Sequence, residues 1–108
     1  MTDKIVVLST CETAEEAERI ARRLVEKRLA ACVNVVTGLR SIYRWRGQVE
    51  DAAEVLMVIK SRRELFAALR TEIEKAHSYE VPEVIALPIV DGSPGYLSWL
   101  ETELGGGH

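Results

Sequence analysis

Four short stretches of the chain have the hydrophobic pattern of β-strands. Residues 5–8 and 55–59 are continuous apolar runs rich in β-branched side chains, which is typical of strands covered on both faces. Residues 31–36 read as a second strand, which continues over residues 39–45 after Gly38, where we expect a bend or bulge. In the continuation, Ser41, Tyr43 and Trp45 fall on one face of the strand. Residues 84–90 form another apolar run. The pattern therefore predicts four strands.

Between these strands, apolar residues recur every three or four positions, which predicts amphipathic helices. Thr13 with Glu16, and Ser61 with Glu64, have the spacing of a capping box at a helix start. A third, shorter helix should begin at Pro94, because proline suits the first helical position. The inner faces of the three helices are expected to consist of Ala17, Ile20, Ala21, Leu24, Val25 and Arg28; Leu65, Leu69, Ile73 and Ala76; and Tyr96, Leu97, Leu100 and Leu104.

The order of these elements predicts the fold class. Two split βαβ units with right-handed crossovers give an α+β, ferredoxin-like βαββαβ sandwich with an additional C-terminal helix. The first and third strands are the most uniformly apolar and should be central, whereas Pro88 in the fourth strand suits an edge. We expect a single domain over residues 1–104 and a flexible tail over residues 105–108.

The second strand is unusual for the edge of a sheet. It is long, and it carries Ile42, Tyr43 and Trp45 beside unpaired backbone groups, which would make an isolated subunit prone to aggregation. One explanation is that the last helix, with Tyr96 and Trp99, covers this strand within the chain. The other is that a neighbouring subunit pairs with it. The projecting hairpin favours the second explanation, so we expect an oligomer.

Composition narrows the range of partners. The 108 residues include 17 acidic and 14 basic side chains, interspersed to a net charge of −3. This pattern gives no basic surface for nucleic acid and no polybasic face for an anionic membrane. The first apolar run is too short for a signal peptide or a membrane span. The only two cysteines are expected to be free thiols in a reducing compartment, which predicts a cytoplasmic location.

Common nucleotide, metalloprotease and two-cysteine motifs do not occur in the sequence. Cys11, Cys32, His77 and Glu83 could together hold a borderline divalent ion such as copper or zinc. Cys11 precedes a helix, whose dipole could favour a thiolate. Ordinary explanations compete: Cys32 could be a small core residue, His77 could complement a helix C-terminus, and Glu83 could be solvated.

Four segments together resemble the CutA divalent-cation tolerance family. They are Leu-Ala-Ala-Cys-Val-Asn at 29–34, Ser-Ile-Tyr-Arg-Trp-Arg-Gly at 41–47, His-Ser-Tyr-Glu-Val-Pro-Glu at 77–83 and Tyr-Leu-Ser-Trp-Leu at 96–100. They occur in the family's order and spacing over almost the whole chain. The sequence departs from the family at Ser78, where proline is usual.

The resemblance implies a homotrimer that forms by pairing of edge strands and is similar in architecture to PII signalling proteins. It implies a link to metal tolerance, with copper(II) or another divalent cation as a possible ligand and no obligatory cofactor. Carried over residue by residue, a cleft between subunits would involve Cys32, Asn34, Ser41, Tyr43, Trp45, Lys60, His77, Tyr79 and Glu83.

Three functions remain open from the sequence. The leading hypothesis is a trimeric, cytoplasmic protein that binds divalent metal and takes part in the response to metal ions. The second is a PII-like regulator that binds a small ligand between subunits. The third, an enzyme with His77 as acid–base near Tyr79 and Glu83, ranks last because no nucleophile or substrate-anchoring motif accompanies them.

Overall fold

The computed structural model describes residues 2–105. These residues form four strands, three α-helices and one short 3₁₀ turn, in the order expected from the sequence. The elements are β1 (Lys4–Cys11), α1 (Ala14–Glu26), β2 (Cys32–Trp45), β3 (Gln48–Arg62), the 3₁₀ turn (Arg63–Leu65), α2 (Phe66–Ala76), β4 (Ile85–Pro88) and α3 (Pro94–Glu103). No helix in the described residues is both long and apolar enough to cross a membrane.

The strands form one antiparallel sheet in the order β2-β3-β1-β4. The apolar strands β1 and β3 are central, and β4 lies at an edge, which confirms the predicted ferredoxin-like arrangement. β4 is shorter than expected, four residues in place of 84–90. Its pairing nevertheless continues past Pro88, since the Ile89 N–H donates to the Lys4 carbonyl at 3.0 Å.

A bulge in β2 determines which side chains share a face of the sheet. Val36 pairs with Leu56, but Leu39 pairs with Glu54, so β2 contains one extra residue at this point. Gly38 lies in the bulge with φ +83°, a conformation that glycine adopts without steric cost. The alternation of side chains between the two faces of the sheet therefore shifts by one residue at the bulge. Even positions before the bulge and odd positions after it lie on the same face.

Helices α1 and α2 pack on one face of the sheet, and the main core lies between the layers. Its fully buried members are Val7, Cys11, Ala17, Ile20, Leu24, Met57, Ile59, Leu69 and Ile73. The other face has no helix over its centre, and we call it the open face. Two residues predicted on the inner side of α1 are not in this core. Val25 is 42% exposed, and Arg28 follows the helix with φ +59°, because the chain turns where Leu29 N–H donates to Leu24 O (2.9 Å).

The two predicted capping boxes have different outcomes. The Thr13 hydroxyl accepts a hydrogen bond from the Glu16 N–H at 3.1 Å, as expected at the start of α1. The prediction for Ser61 is wrong. β3 continues to Arg62, and the buried Ser61 hydroxyl donates instead to the Leu29 carbonyl at 2.7 Å. Ser61 therefore joins β3 to the start of β2 and caps no helix.

Helix α3 covers the end of the sheet where β2 begins. Leu100 and Leu104 pack with Ala31 and Leu65 in a second, smaller core. Tyr96 and Trp99 contact each other on this helix, with ring centres 5.7 Å apart. The β2–β3 hairpin lies at the other end of the sheet, where Ile42 remains 73% exposed. Helix α3 therefore covers only the start of the second strand within the chain, and Tyr43 and Trp45 farther along that strand remain 44% and 42% exposed.

Buried charges attach α3 to the sheet. Lys4 Nζ lies 2.7 Å from one oxygen of Glu101, and Arg62 Nη1 lies 3.3 Å from the other. Arg62 also donates to the Gly105 carbonyl, whose own N–H donates to Arg28 O. Gly105, the first residue of the expected flexible tail, is thus hydrogen-bonded through both its carbonyl and its N–H. The rest of the predicted tail, residues 106–108, lies outside the described residues.

Candidate functional site

An open groove of about 800 Å³ lies where the open face of the sheet ends. The β2–β3 hairpin forms one wall, the end of β1 forms the floor, and the segment between α2 and β4 forms the other wall. The lining residues are Thr10, Glu12, Ser41, Ile42, Tyr43, Trp45, Ala52, Ala53, Glu54, Tyr79, Glu80, Val81 and Glu83. This set contains four carboxylates, three large aromatic side chains and no basic side chain.

The bulge in β2 places the hairpin side chains at the groove. Ser41 pairs with Ala52, which shares a face of β3 with Glu54. Thr10 lies on the same face, because it pairs with Leu56, two residues beyond Glu54. Tyr43 and Trp45 follow at two-residue intervals on the same face. The sequence prediction that these three β2 residues share a site is consistent with this geometry, because all three line the groove.

The hairpin tip reaches across to the opposite wall. Arg46 (φ +50°) and Gly47 (φ +81°) form the tight turn, with both residues in the left-handed region that such two-residue turns require. The Arg46 guanidinium lies 5.4 Å from the centre of the Trp45 ring and 3.6 Å from Glu80 Oε1. One cation of the chain itself therefore joins the two walls at their rim.

Tyr79 is fixed at the base of the groove. Its hydroxyl donates to Glu54 Oε2 at 2.6 Å, and its ring lies beside the His77 ring with centres 4.7 Å apart. Burial and the adjacent Glu54 carboxylate raise the pKa of Tyr79, so the phenol stays neutral at physiological pH. Tyr79 thus offers an aromatic surface and orients the carboxylate of Glu54.

His77 does not reach the groove as a free ligand. Its side chain is fully buried, and its Nε2 lies 2.6 Å from the Thr10 carbonyl. Its Nδ1 accepts a hydrogen bond from the Tyr79 N–H at 3.0 Å. Because one nitrogen must donate and the other accept, the ring is the neutral Nε2–H tautomer. Neither nitrogen has a lone pair free for a metal ion in this arrangement.

Glu16 supports the same segment from α1. Its Oε2 accepts the Ser78 N–H at 2.7 Å and lies 3.9 Å from His77 Nδ1. Burial by itself would raise the pKa of Glu16, but the hydrogen bonding from Ser78 outweighs burial and the net shift is downward. Glu16 is therefore an ionised anchor. This bond needs a backbone N–H at position 78, which serine supplies and proline would not.

Cys11 is a core residue. It pairs with Val55 on the helix-facing side of β1 and is fully buried. Burial, followed by the charge of Glu16, raises the pKa of Cys11 to about 12. The expected thiolate at the start of α1 is therefore wrong, because desolvation of the thiolate dominates over the helix dipole.

Three other predicted residues lie near the far end of β2, outside the groove. Cys32 pairs with Lys60 in the sheet register, and Lys60 Nζ donates to Asn34 Oδ1 across the two strands. Cys32 and Cys11 are both free thiols. Among residues 2–105 of a single subunit, no group of three or more histidine, cysteine, aspartate or glutamate side chains is arranged to hold a metal ion. The subunit alone does not bring Cys11, Cys32, His77 and Glu83 together.

Four polar lining residues were not among the predicted site residues: Thr10, Glu12, Glu54 and Glu80. Glu54 had a visible signal, since a carboxylate directly before the apolar run 55–59 is unexpected in a central strand. Glu12 and Glu80 resemble ordinary solvated loop residues in the sequence. Only the crossing of the hairpin over the end of β1 brings them to one groove.

The fold and the groove define a class: a small ferredoxin-like α+β domain with an acidic, aromatic groove on the open face of its sheet. Comparison with known families then identifies the family. The model of the CutA1 divalent ion tolerance proteins matches residues 5–103. The chain belongs to the CutA1 divalent ion tolerance family.

Individual relatives agree with this assignment. A divalent-cation tolerance protein CutA from Thermus thermophilus is 48% identical over 100 residues, which cover 93% of this chain and 97% of that protein. Human Protein CutA is 50% identical over 91 residues, 84% of this chain. The chain matches only 51% of the length of the human protein.

Solved structures of the family have the same fold. The T. thermophilus divalent cation tolerance protein superposes with a TM-score of 0.92 at 47% identity, covering 94% of this chain and 99% of that one. CutA from Xylella fastidiosa superposes with a TM-score of 0.93 at 39% identity, covering 96% of this chain and all of that one. These similarities confirm the predicted family and fold.

Proposed function

We propose that this protein is a homotrimer that binds divalent cations, copper(II) among them, and takes part in the cellular response to metal ions. One observation carries the proposal: four carboxylates line a groove that has no basic lining residue. The net field in such a groove favours cations. The name of the T. thermophilus relative, a divalent-cation tolerance protein, agrees with this electrostatic preference.

The groove carboxylates, not the predicted cysteine and histidine pair, are the first ligands in this proposal. Glu83 is retained from the sequence prediction, and Glu54 is added because Tyr79 already orients its carboxylate. Copper(II) is the preferred divalent ion because it ranks highest in affinity at nitrogen and oxygen sites. Since residues 2–105 of one subunit supply no group of three metal-ligating side chains, water or a neighbouring copy completes the coordination in this proposal.

The trimer is supported by apolar surface that a single subunit leaves uncovered. On the open face Val36, Ile85 and Leu87 are 44%, 50% and 49% exposed. At one edge of the sheet, β2 has a partner strand on only one side. A closed assembly that buries this face and pairs this edge would remove both the exposed apolar surface and the unpaired backbone groups.

Calorimetric titration with copper(II) tests the metal proposal. We expect wild-type binding to weaken roughly tenfold in Glu54→Gln, the loss typical of removing one charged contact. Glu74→Gln is the matched control, because this exposed carboxylate lies on α2, outside the groove. Equal affinities in the two variants would reject the groove as the metal site, and no binding at micromolar copper would reject copper.

A second function, a PII-like regulator that binds a small ligand, is supported by the size and lining of the groove. A volume of about 800 Å³ lies within the range of small-molecule sites, and Tyr43 and Trp45 give it aromatic walls. A thermal-shift screen of nucleotides and metabolites tests this function, since a ligand that binds the native state raises Tm. A small molecule that raises Tm, where copper(II) does not, would favour the regulator.

The role is proposed as non-catalytic and the location as cytoplasmic. Within residues 2–105 the only imidazole is that of His77, and both of its nitrogens are engaged, which does not suit a general acid or base. The two free thiols suit a reducing compartment. Fractionation of the native host tests the location, and recovery outside the cytoplasmic fraction would overturn it.

A further inference from the structure

The chain already places one organic cation at the rim of the groove. The Arg46 guanidinium faces the Trp45 ring at 5.4 Å and the Glu80 carboxylate at 3.6 Å. An aromatic face next to a carboxylate is the usual recognition element for alkylammonium and guanidinium groups. The Arg46 side chain is 74% exposed and Glu80 76%, so this ion pair is weak and can be displaced.

Deeper in the groove, two polar groups are available to a ligand. Thr10 is only 7% exposed and lines the floor; its carbonyl accepts from His77, while its hydroxyl makes no hydrogen bond within residues 2–105. Glu54 accepts the Tyr79 hydroxyl through Oε2, which leaves Oε1 available. A donor that enters the groove therefore meets a hydroxyl and a carboxylate oxygen.

The placement of the carboxylates suits a long cation. Glu54 lies on the hairpin wall, Glu80 and Glu83 lie on the opposite wall, and Glu12 follows the end of β1. The carboxylates therefore stand on both walls and near the floor, with Tyr43 and Trp45 also lining the groove. A ligand with several positive charges joined by methylene segments matches both features, since its charges meet carboxylates and its methylenes cover aromatic surface.

We propose that the groove binds a linear polyamine, with its ammonium groups at the groove carboxylates and its methylene chain on Tyr43 and Trp45, and that the ligand displaces the Arg46 side chain. This inference rests on the groove being the ligand site, as proposed above, and it names an organic cation as a ligand distinct from the metal. Arg46 then acts as an internal competitor that occupies the rim when no ligand is present.

Tryptophan fluorescence of the full chain titrated with spermidine tests the proposal. The chain has two tryptophans, so a Trp99→Phe background leaves Trp45 as the only reporter. We expect saturable binding that weakens as salt is raised, because the contacts are ionic. The uncharged chain 1,8-octanediol should produce no saturable change. No saturation by 10 mM spermidine at low salt, roughly the weakest binding worth testing, would overturn the proposal.

Two pairs of variants locate the binding. In Glu54→Gln the affinity for spermidine should fall roughly tenfold, and in Glu74→Gln, on α2 outside the groove, it should stay within about twofold. In Arg46→Ala the affinity should rise about two- to fivefold because the competitor is gone. Arg44→Ala is the control for this rise in affinity, because it also removes one positive charge from the hairpin but at a position outside the groove. Equal effects within either pair would mean binding to general negative charge and would overturn the proposal.

Parallel copper titrations separate this inference from the proposed function. If copper binds and depends on Glu54 while spermidine does not bind, the polyamine inference fails and the metal function stands. If spermidine binds with the expected variant pattern while copper does not, the polyamine inference stands and the metal function fails. If neither probe binds, both fail.

Discussion

At the scale of single residues, His77 shows how neighbours determine what a side chain can do. Its position after α2 made it a candidate metal ligand or acid–base group. The structure instead places it in a closed set of hydrogen bonds between the end of β1 and the segment that forms a groove wall. His77 is therefore a structural residue that holds Tyr79, and through Tyr79 the carboxylate of Glu54, in place.

The corresponding prediction concerns stability. Replacing His77 by alanine leaves the Thr10 carbonyl and the Tyr79 N–H without a partner, so we expect a loss of about 2 kcal/mol in the free energy of unfolding. Urea denaturation measures this loss. The control Glu74→Ala, at an exposed position of α2, should change stability by less than about 0.5 kcal/mol. A His77→Ala variant as stable as the control would contradict the structural role.

A second prediction at this scale concerns Cys11. With a pKa of about 12, roughly one thiol in 10⁵ is ionised at pH 7, and the side chain is fully buried. In a Cys32→Ser background, we expect no iodoacetamide labelling of the native protein within an hour and complete labelling in denaturant. Rapid native labelling would show that Cys11 is an accessible thiolate after all.

At the scale of elements, the bulge in β2 is the feature on which the groove depends. One extra residue moves Ser41, Tyr43 and Trp45 to the face that carries Thr10 and Glu54. Without that residue, strict alternation would direct these side chains to the other face of the hairpin. The bulge is therefore a small backbone irregularity with a direct effect on the site.

Substitution of Gly38 tests this role. Its φ of +83° disfavours a side chain, although the space around it is open. We expect Gly38→Ala to cost about 1 kcal/mol of stability, and Gly38→Asn less, because asparagine tolerates the left-handed region. Gly95→Ala on α3, also in open space but at a helical position, should be neutral or slightly stabilising. Urea denaturation compares the three variants, and equal effects for Gly38→Ala and Gly95→Ala would reject the backbone explanation.

At the scale of the whole molecule, one subunit has a complete core on one side of its sheet and an uncovered face on the other. The helix-facing side is packed by α1 and α2. The open face and the hairpin retain several half-exposed large apolar side chains. The hydrophobic effect therefore favours association through the open face.

Light scattering tests this association directly. We expect the wild type at three times the monomer mass and Leu87→Glu as a folded monomer, because the substitution places a charge in the proposed interface. Val25→Glu is the matched control: Val25 is similarly exposed at 42%, but it lies on α1, away from the open face, so this variant should remain trimeric. A monomeric wild type, or dissociation of both variants alike, would contradict the proposed assembly.

The periodicity of the chain predicted the element order, the central and edge strands and most core positions, because these depend on local patterns of burial. Element ends were less accurate. The spacing of Ser61 and Glu64 predicts a helix cap, but the Ser61 hydroxyl donates its hydrogen bond to the distant Leu29 carbonyl. The periodicity also predicts Arg28 on the inner face of α1, but this helix ends two residues earlier, at Glu26.

For the site, periodicity placed Ser41, Tyr43 and Trp45 on one face, since residues two apart in a strand share a face, and all three line the groove. It could not separate a ligand from a buried anchor. In the structure Cys11 is a core residue, and His77 supports the groove from below its surface. Glu54 and Glu80 line the groove. Each of these roles depends on contacts with segments far away in the chain. Periodicity reports whether a side chain is covered. Only the folded arrangement determines which groups cover it and how they change its chemistry.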